Sequence, residues 1–270
     1  MLLQERNARR GVEINQIEND LYLFIGETYH ANSTIFVSQD QALLVDALAS
    51  RKDAEKLRDF VEQELEKEVR FIVSTHYFSD HIAALQLFPR ATIIAHENYL
   101  DTFRSEQYRS KEEESYFVEP DILISDRIKI RWGRFTLDIT HNPGHTTSTL
   151  AIEVPQANLL LVGDTVVGNI LYLRYSTPER FVTALERLRQ KSRDRLISSH
   201  GDVRSTTAII SAAFYLESLR QRAKQSELDE SFLAAPLEEF LPTGVQPTPF
   251  ERIFHERNLQ TIVERRLFAA

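Results

Sequence analysis

Apolar runs in this chain end repeatedly on an aspartate or a histidine. "LLVD" closes on Asp46, "FIVSTH" on His76, "LLLVGD" on Asp164 and "LISSH" on His200, and "ITHNPGH" turns once before reaching His145. Short runs rich in Val, Ile and Leu, bounded by Gly, Asn and Asp, read as buried strands. The loop after such a strand is where an α/β protein places its chemistry, because the sheet fixes the residue and the loop presents it. Separate loops therefore each end a strand with a potential metal ligand or proton carrier.

The rest of the pattern supplies the covering layers. Residues 11–17, 20–26, 33–38 and 41–47 alternate as strands between polar turns. Residues 50–67 read as an amphipathic helix capped by Ser50, with Leu57, Phe60, Val61 and Leu65 on one face. "VRFIVST" is a strand buried on both sides, and a short helix over 81–88 is expected after it, capped by Asp80 and stopped by Pro89. A strand over 91–96 and a helix over 97–110 follow, and 111–120 reads as an exposed loop or frayed helix end. Two hairpins cover 127–141 and 149–164. A helix with Thr177 as cap and Pro178 in its first turn, a strand over 194–200 and a long amphipathic helix over 205–225 complete the pattern. Strands interleaved with helices in this order suit a mixed sheet system covered by helices. The main unit is expected over residues 1–226, with 227–270 as a C-terminal helical extension.

Composition narrows the function. With 40 acidic and 32 basic residues the net charge is −8, which disfavours nucleic acid because phosphate contacts need a basic face. The basic stretch from Arg187 to Arg195 reads as a solvated face. There is no cysteine, so disulfides and thiolate ligands are excluded and any metal must be held by imidazole and carboxylate. The N-terminal stretch lacks an apolar leader core and no run approaches a membrane span, so a soluble cytoplasmic protein is expected.

The densest polar cluster is "STHYFSDHIAAL", which sets His76, Asp80 and His81 within six residues. Alone, it could be a turn with a capping aspartate and surface histidines. Set beside His145, Asp164 and His200, it becomes a ligand set that suits zinc, iron or manganese. The order is Asp46, then His76-x-Phe78-x-Asp80-His81, His145 in "GHT", Asp164 in "GD" and His200 in "HG". With it, the chain resembles the metallo-β-lactamase superfamily over about its first 225 residues, and within it the glyoxalase II-like hydrolases. "FHERNL" in the tail resembles the C-terminal helix of some of these more weakly.

That resemblance implies an α/β fold, an αββα sandwich of two mixed sheets flanked by helices, with the site at one edge between the sheets. It implies a first metal on His76, His145 and a histidine where Phe78 stands here. It implies a second on Asp80, His81 and His200, with Asp164 bridging and Asp46 as an outer support. A phenyl ring cannot ligate, so one divalent ion on the second set is expected. His76 and His145 are then extra ligands or, with Asp80, acid and base groups. Phe78, Tyr77 and His30 are expected to line the pocket. Ala83 and Ala84 stand where relatives usually have glycine. His141, His96 and His255 read as structural, the last as packing or an inter-subunit contact.

The implied activity is hydrolysis of an ester, thioester, lactone or amide bond of a small molecule by a metal-bound hydroxide. An iron-dependent oxygenase or oxidoreductase on the same ligands and a catalytically degenerate binding or regulatory protein remain as alternatives. The terminal helix, with Ile253, Leu259, Ile262 and Leu267, needs a surface to pack on, either its own domain or a second copy in a homodimer.

Overall fold

The computed structural model describes residues 6–9, 11–225 and 228–268. The expected boundary between Ser226 and Glu227 falls outside them, as do residues 1–5 of the stretch read for a leader. Two mixed sheets form the centre.

The first sheet runs in sequence order through β1 (Arg6–Arg9), β2 (Val12–Glu18), β3 (Leu21–Ile25), β4 (Asn32–Ser38), β5 (Gln41–Val45), β6 (Glu68–Val73), β7 (Thr92–His96) and β8 (Ile122–Ile124). It is antiparallel up to β5 and parallel from β5 to β8. The second sheet is built from β9 (Arg127–Trp132), β10 (Phe135–His141), β11 (Leu150–Val154), β12 (Leu159–Leu161), β13 (Arg195–Ile197) and β14 (Arg204–Ser205), with only β12 and β13 parallel.

Strand periodicity divides the core into layers. Leu21, Leu23, Phe36, Leu43 and Val73 of the first sheet bury against Phe135, Leu137, Ile152, Leu161 and Ile197 of the second. Alternate residues such as Phe24, Leu44 and Ile72 face the other way, onto α1 (Arg51–Asp59). Trp132 sits between the sheets and donates its indole N–H to the Phe36 carbonyl at 2.8 Å. On the far face of the second sheet, α4 (Pro178–Arg189) buries Phe181, Leu185 and Leu188 beside α5 (Thr207–Gln225). Each such side chain contributes about 1.5–3 kcal/mol of burial. The order is helices, sheet, sheet, helices, as the family resemblance implied.

Segments beyond the expected main unit share this core. Phe232 of α6 (Glu230–Leu233), Phe240, and Leu259 and Ile262 of α7 (Pro249–Arg265) lie in the same apolar cluster as Phe181 and Leu216. The apolar face of α7 thus packs on its own chain, while Ile253 stays exposed.

Some local expectations change. Ser50 accepts the Asp53 N–H at 3.2 Å as a cap, but the helix widens into a π turn over Phe60–Glu64 and stops before Glu66. No helix forms over 81–88; short 3₁₀ turns at Ser79–His81 and Leu85–Leu87 replace it, and Asp80 caps nothing. The reason is tertiary. The amides of Ala83 and Ala84 donate to the carbonyls of Leu48 and Ala47, and the His81 carbonyl accepts from Ala47 N–H. The helix expected over 97–110 is confined to α2 (Tyr99–Ser105), and Ser110 with Glu113 caps a separate turn, α3 (Lys111–Glu114).

Glu18, at the end of β2, accepts from Arg195 of the other sheet and from Arg134. Burial pushes its carboxyl up, but hydrogen bonds from Arg195 and Arg134 outweigh that and hold it below its ordinary 4.5. A depressed carboxyl stabilises above its unfolded pKa and loses that contribution as pH falls through the folded one. Glu18→Gln is therefore expected to cost up to about 1 kcal/mol at pH 7 in this partly solvated setting. Urea unfolding below about pH 4 should show wild type and variant converging.

Candidate metal centre

The strand ends converge at one edge of the sandwich. Asp46 follows β5, the His76–His81 loop follows β6, Asp164 follows β12, His200 follows β13, and His145 sits in the turn between β10 and β11. Backbone hydrogen bonds set the edge: Leu150 N–H of the second sheet donates to the Thr75 carbonyl of the first at 2.7 Å, and within the second sheet Ser199 N–H donates to the Gly163 carbonyl at 3.2 Å. Gly163 has φ +56°, and a Cβ there would stand 3.1 Å from Thr75 Oγ1, so "LVGD" needs its glycine to bring Asp164 in.

Asp46, itself at φ +60°, is the hub behind the ligands. Its carboxylate accepts Thr75 N–H at 2.7 Å, Thr75 Oγ1–H at 2.8 Å and Ser199 Oγ–H at 2.6 Å. Thr75 Oγ1, having given its proton to Asp46, accepts from His76 Nδ1–H at 3.2 Å. That tautomer leaves a bare lone pair on His76 Nε2. Likewise His200 Nδ1 faces the Tyr29 carbonyl at 3.0 Å and must donate to it, which turns Nε2 toward Asp164 Oδ2 at 3.2 Å. Hydrogen-bond partners that fix ring orientation in this way are the usual support of a metal-binding histidine.

The four imidazoles are buried and crowded. His76 lies 4.2 Å from His81 and 5.0 Å from His145 between ring centres, and His81 lies 5.1 Å from His200. His76 Nε2, both nitrogens of His81, His145 Nδ1 and Asp164 Oδ1 are buried with no hydrogen-bond partner. Each orphan costs about 1–3 kcal/mol in a dry interior, and several of them gathered at one edge of the sandwich call for an ion. Among the described residues, two ligand groups have donor atoms within 4.8 Å of one another: His76, His81 and Asp164, and Asp80, His81 and His200. These residues fit a divalent cation held by imidazole and carboxylate. His81 belongs to both groups.

The electrostatics follow the same division. Burial pulls His81 down, but the Asp80 and Asp164 carboxylates outweigh it and push it up to about 10. Burial also opposes ionisation of Asp164, yet His200 and His81 hold its carboxyl well below the usual range. His200 is raised because Asp164 outweighs its burial. His76 and His145 fall below their ordinary values, chiefly through burial, with the positive His81 adding to it.

Phe78 packs edge-on against His76 at 5.2 Å and His145 at 5.4 Å, with Tyr175 at 4.6 Å. His145 thus stands outside both ligand groups, and His76 joins His81 and Asp164 instead. Two expected pocket residues are elsewhere. Tyr77 is fully buried on the helix side, among Tyr99 and Phe117, with its hydroxyl donating to the Val118 carbonyl. Successive side chains of an extended segment point to opposite sides, so a chain that presents His76 and Phe78 must turn Tyr77 away. His30 is exposed and faces Phe250, while its neighbour Tyr29 lines the cleft. His96 and His141 stack on each other at 3.7 Å, and His255 bonds Tyr215 and the Ala235 carbonyl within the chain's own core.

A cleft of about 380 Å³ opens over the centre, where Phe78, Asp80, His145, Asp164 and His200 form part of its lining. Tyr172, Arg174 and Tyr175 after the Asp164 turn, and Phe254, Arg257 and Gln260 of α7, form another wall. The strand-end pattern gave no sign of this wall; the one trace of it in the sequence was the weaker likeness of "FHERNL", which holds Phe254 and Arg257.

A family model described as the metallo-beta-lactamase superfamily matches residues 26–207, more than half of the chain. The chain belongs to the metallo-β-lactamase superfamily. The match spans every ligand-type residue from Asp46 to His200. A hydroxyacylglutathione hydrolase of Bartonella henselae is 27% identical over 188 residues, covering 67% of this chain and 68% of that protein. A solved metallo-beta-lactamase from Pontibacter korlensis aligns with a TM-score of 0.63 at 19% identity, over 74% of this chain and 96% of that one. A stereoselective inverting sec-alkylsulfatase from Pseudomonas sp. aligns with a TM-score of 0.71 at 16% identity, over 95% of this chain and 50% of that one. At these identities the solved structures establish the fold, and the superfamily fold does not by itself choose a substrate.

Proposed function

We propose that this superfamily member is a metal-dependent hydrolase. It would cleave an ester, thioester, lactone or amide bond of a small anionic molecule at a one-ion centre. The observation that carries the reading is the set of orphaned, buried ligand atoms on His76, His81 and Asp164 beneath an open cleft. Asp80, His81, His200 and Asp164 would hold the ion, with His76 beside them. When bound, a zinc, iron or manganese ion supplies Lewis acidity that polarises a carbonyl and lowers the pKa of water toward about 7.

The chain's own groups do the rest. Asp80 is the most exposed of the ligand-type carboxylates, and its oxygens lie 3.3 Å from His81 and 3.6 Å from His200. It is consequently better placed to orient than to accept a proton. His145 lines the cleft and lies outside both ligand groups, so it is the group that takes or returns a proton at the reacting centre. Phe78 and Tyr175 exclude water from one side. Arg174 and Arg257 line the cleft and bond the phenols of Tyr175 and Tyr172, and neither forms an ion pair with a carboxylate among the described residues. Unpaired guanidinium groups over a cleft favour a substrate that carries a carboxylate, phosphate or sulfate away from the cleaved bond.

The test is metal analysis of protein purified without added metal, followed by a panel of esters, thioesters and lactones with and without an anionic group. About one ion per chain and a preference for anionic substrates are expected. Arg257→Ala is expected to raise KM for the best anionic substrate about tenfold or more and to leave its neutral analogue within about twofold. A protein without metal and without hydrolysis would be a binding protein on this fold. The two-histidine, one-carboxylate grouping of Asp80, His81 and His200 also suits iron and dioxygen. Iron in the purified protein together with oxygen consumption would favour that reading.

A further inference from the structure

The loop that carries Tyr172, Arg174 and Tyr175 has little regular structure of its own, so its backbone groups need partners. They find them on one helix. Glu251, Asn258 and Arg265 of α7 follow one another at seven-residue intervals, which places them on one face of a helix. Glu251 is buried and accepts Asn169 N–H at 2.6 Å and Asn169 Nδ2–H at 2.9 Å. Asn258 is fully buried. It accepts Leu173 N–H at 2.8 Å and donates Nδ2–H to the Leu171 carbonyl at 2.7 Å and to Tyr215 Oη at 2.9 Å. Arg265 directs Nη1 at the carbonyls of Leu173, Arg174 and Ser176, at 3.4, 3.1 and 3.0 Å. At Gly168 (φ +65°) a Cβ would stand 2.3 Å from Glu251 Oε1, so the loop meets the helix without a side chain between them.

The stripe therefore runs along the loop in register: Glu251 on residue 169, Asn258 on 171 and 173, Arg265 on 173, 174 and 176. A neighbouring face of the same helix puts Phe254, Arg257 and Gln260 into the cleft. None of the three stripe residues lines the cleft, and none belongs to either ligand group.

We propose that α7 is a splint for the substrate wall, with Asn258 and Arg265 as positioning residues that set substrate affinity without touching the ion centre. The kinetic part of this rests on the hydrolase reading; the conformational part does not. The C-terminal segment would then tune which substrate is accepted, while the strand-end residues keep the chemistry.

The experiment uses the full chain with Arg265→Ala, and Arg265→Lys as the conservative partner. Arg265 is exposed, so its removal leaves the core intact. Hydrogen exchange followed by mass spectrometry should show amides of residues 170–177 exchanging about tenfold faster in Arg265→Ala, as local hydrogen bonds are lost. Metal content should be unchanged. KM for the best substrate of the panel should rise about tenfold with kcat within about twofold, and Arg265→Lys should recover part of both. Asn258→Ala should do the same more strongly, and if it fails to fold, Arg265→Ala still decides. Unchanged exchange in this segment, a parallel loss of metal, or faster exchange beside an unchanged KM would overturn the proposal. If wild type hydrolyses nothing in the panel, the hydrolase reading fails, and exchange with metal content alone decides the splint.

Discussion

Phe78→His is expected to raise the metal content of the purified protein from about one ion per chain to about two. The position is enclosed: the Phe78 ring is 5% exposed and touches the rings of His76 and His145. An imidazole there would stand with theirs and supply a third nitrogen donor where the wild type offers a phenyl edge. His145, which lies outside both ligand groups, would gain a ligand role. The exchange also removes apolar contact with Tyr175, at a cost of about 1–2 kcal/mol in the metal-free protein. Ion binding to the folded state should return that stability, so thermal unfolding with and without added zinc measures the second site independently of the metal count. Two full ions in wild type, or no second ion in the variant, would refute the reading of Phe78 as the residue that limits the centre.

The larger functional effect is expected at His81. It is the residue common to both ligand groups, and its carboxylate neighbours Asp80 and Asp164 both depend on it. His81→Ala is expected to lose the ion and to lower kcat/KM by a factor of about a thousand or more. It also leaves the buried Asp164 with His200 as its remaining close cationic partner, at a cost of about 3 kcal/mol. His145→Ala is the control: it should retain the ion while losing rate, because His145 is not needed to complete either group. A His81→Ala protein that still binds one ion tightly would show that His76, Asp164 and His200 suffice, and the shared role would be wrong.

Much of the centre was legible because its signals are local. A strand that ends on Asp or His announces itself within a few residues, and the order Asp46, His76, Asp80, His81, His145, Asp164, His200 carried the family resemblance without reference to packing. Phe78 was readable for the same reason, as a wrong atom type in a known slot. Tyr77 was misjudged although strand alternation already implied that a neighbour of two inward residues points out. His30 was misjudged because the turn after β3 puts Tyr29 over the cleft, and nothing in the sequence states the direction of that turn. The helix expected over 81–88 failed for a different reason. Its pattern is apolar enough for a helix, but the backbone of Ala47 and Leu48 offers those amides other partners.

The sequence by itself determined, through strand and helix periodicity, a mixed sheet system covered by helices, which the family resemblance of its motifs ordered into layers, and the chemical type of the centre, through an all-imidazole and carboxylate ligand set with no cysteine. The tertiary structure decided which ligands act together. His76 joins His81 and Asp164 because side-chain distances across two sheets govern that choice, with the Phe78 ring packed beside both His76 and His145. It also decided what surrounds the centre. Arg174 and Arg257 come from distant parts of the chain, and the Glu251, Asn258 and Arg265 stripe has meaning only once the 168–176 loop lies along it. Ligand type is a property of single residues and can be read one at a time. Grouping and the shape of the cleft are properties of pairs that folding brings together, and no short stretch of the chain encodes them alone.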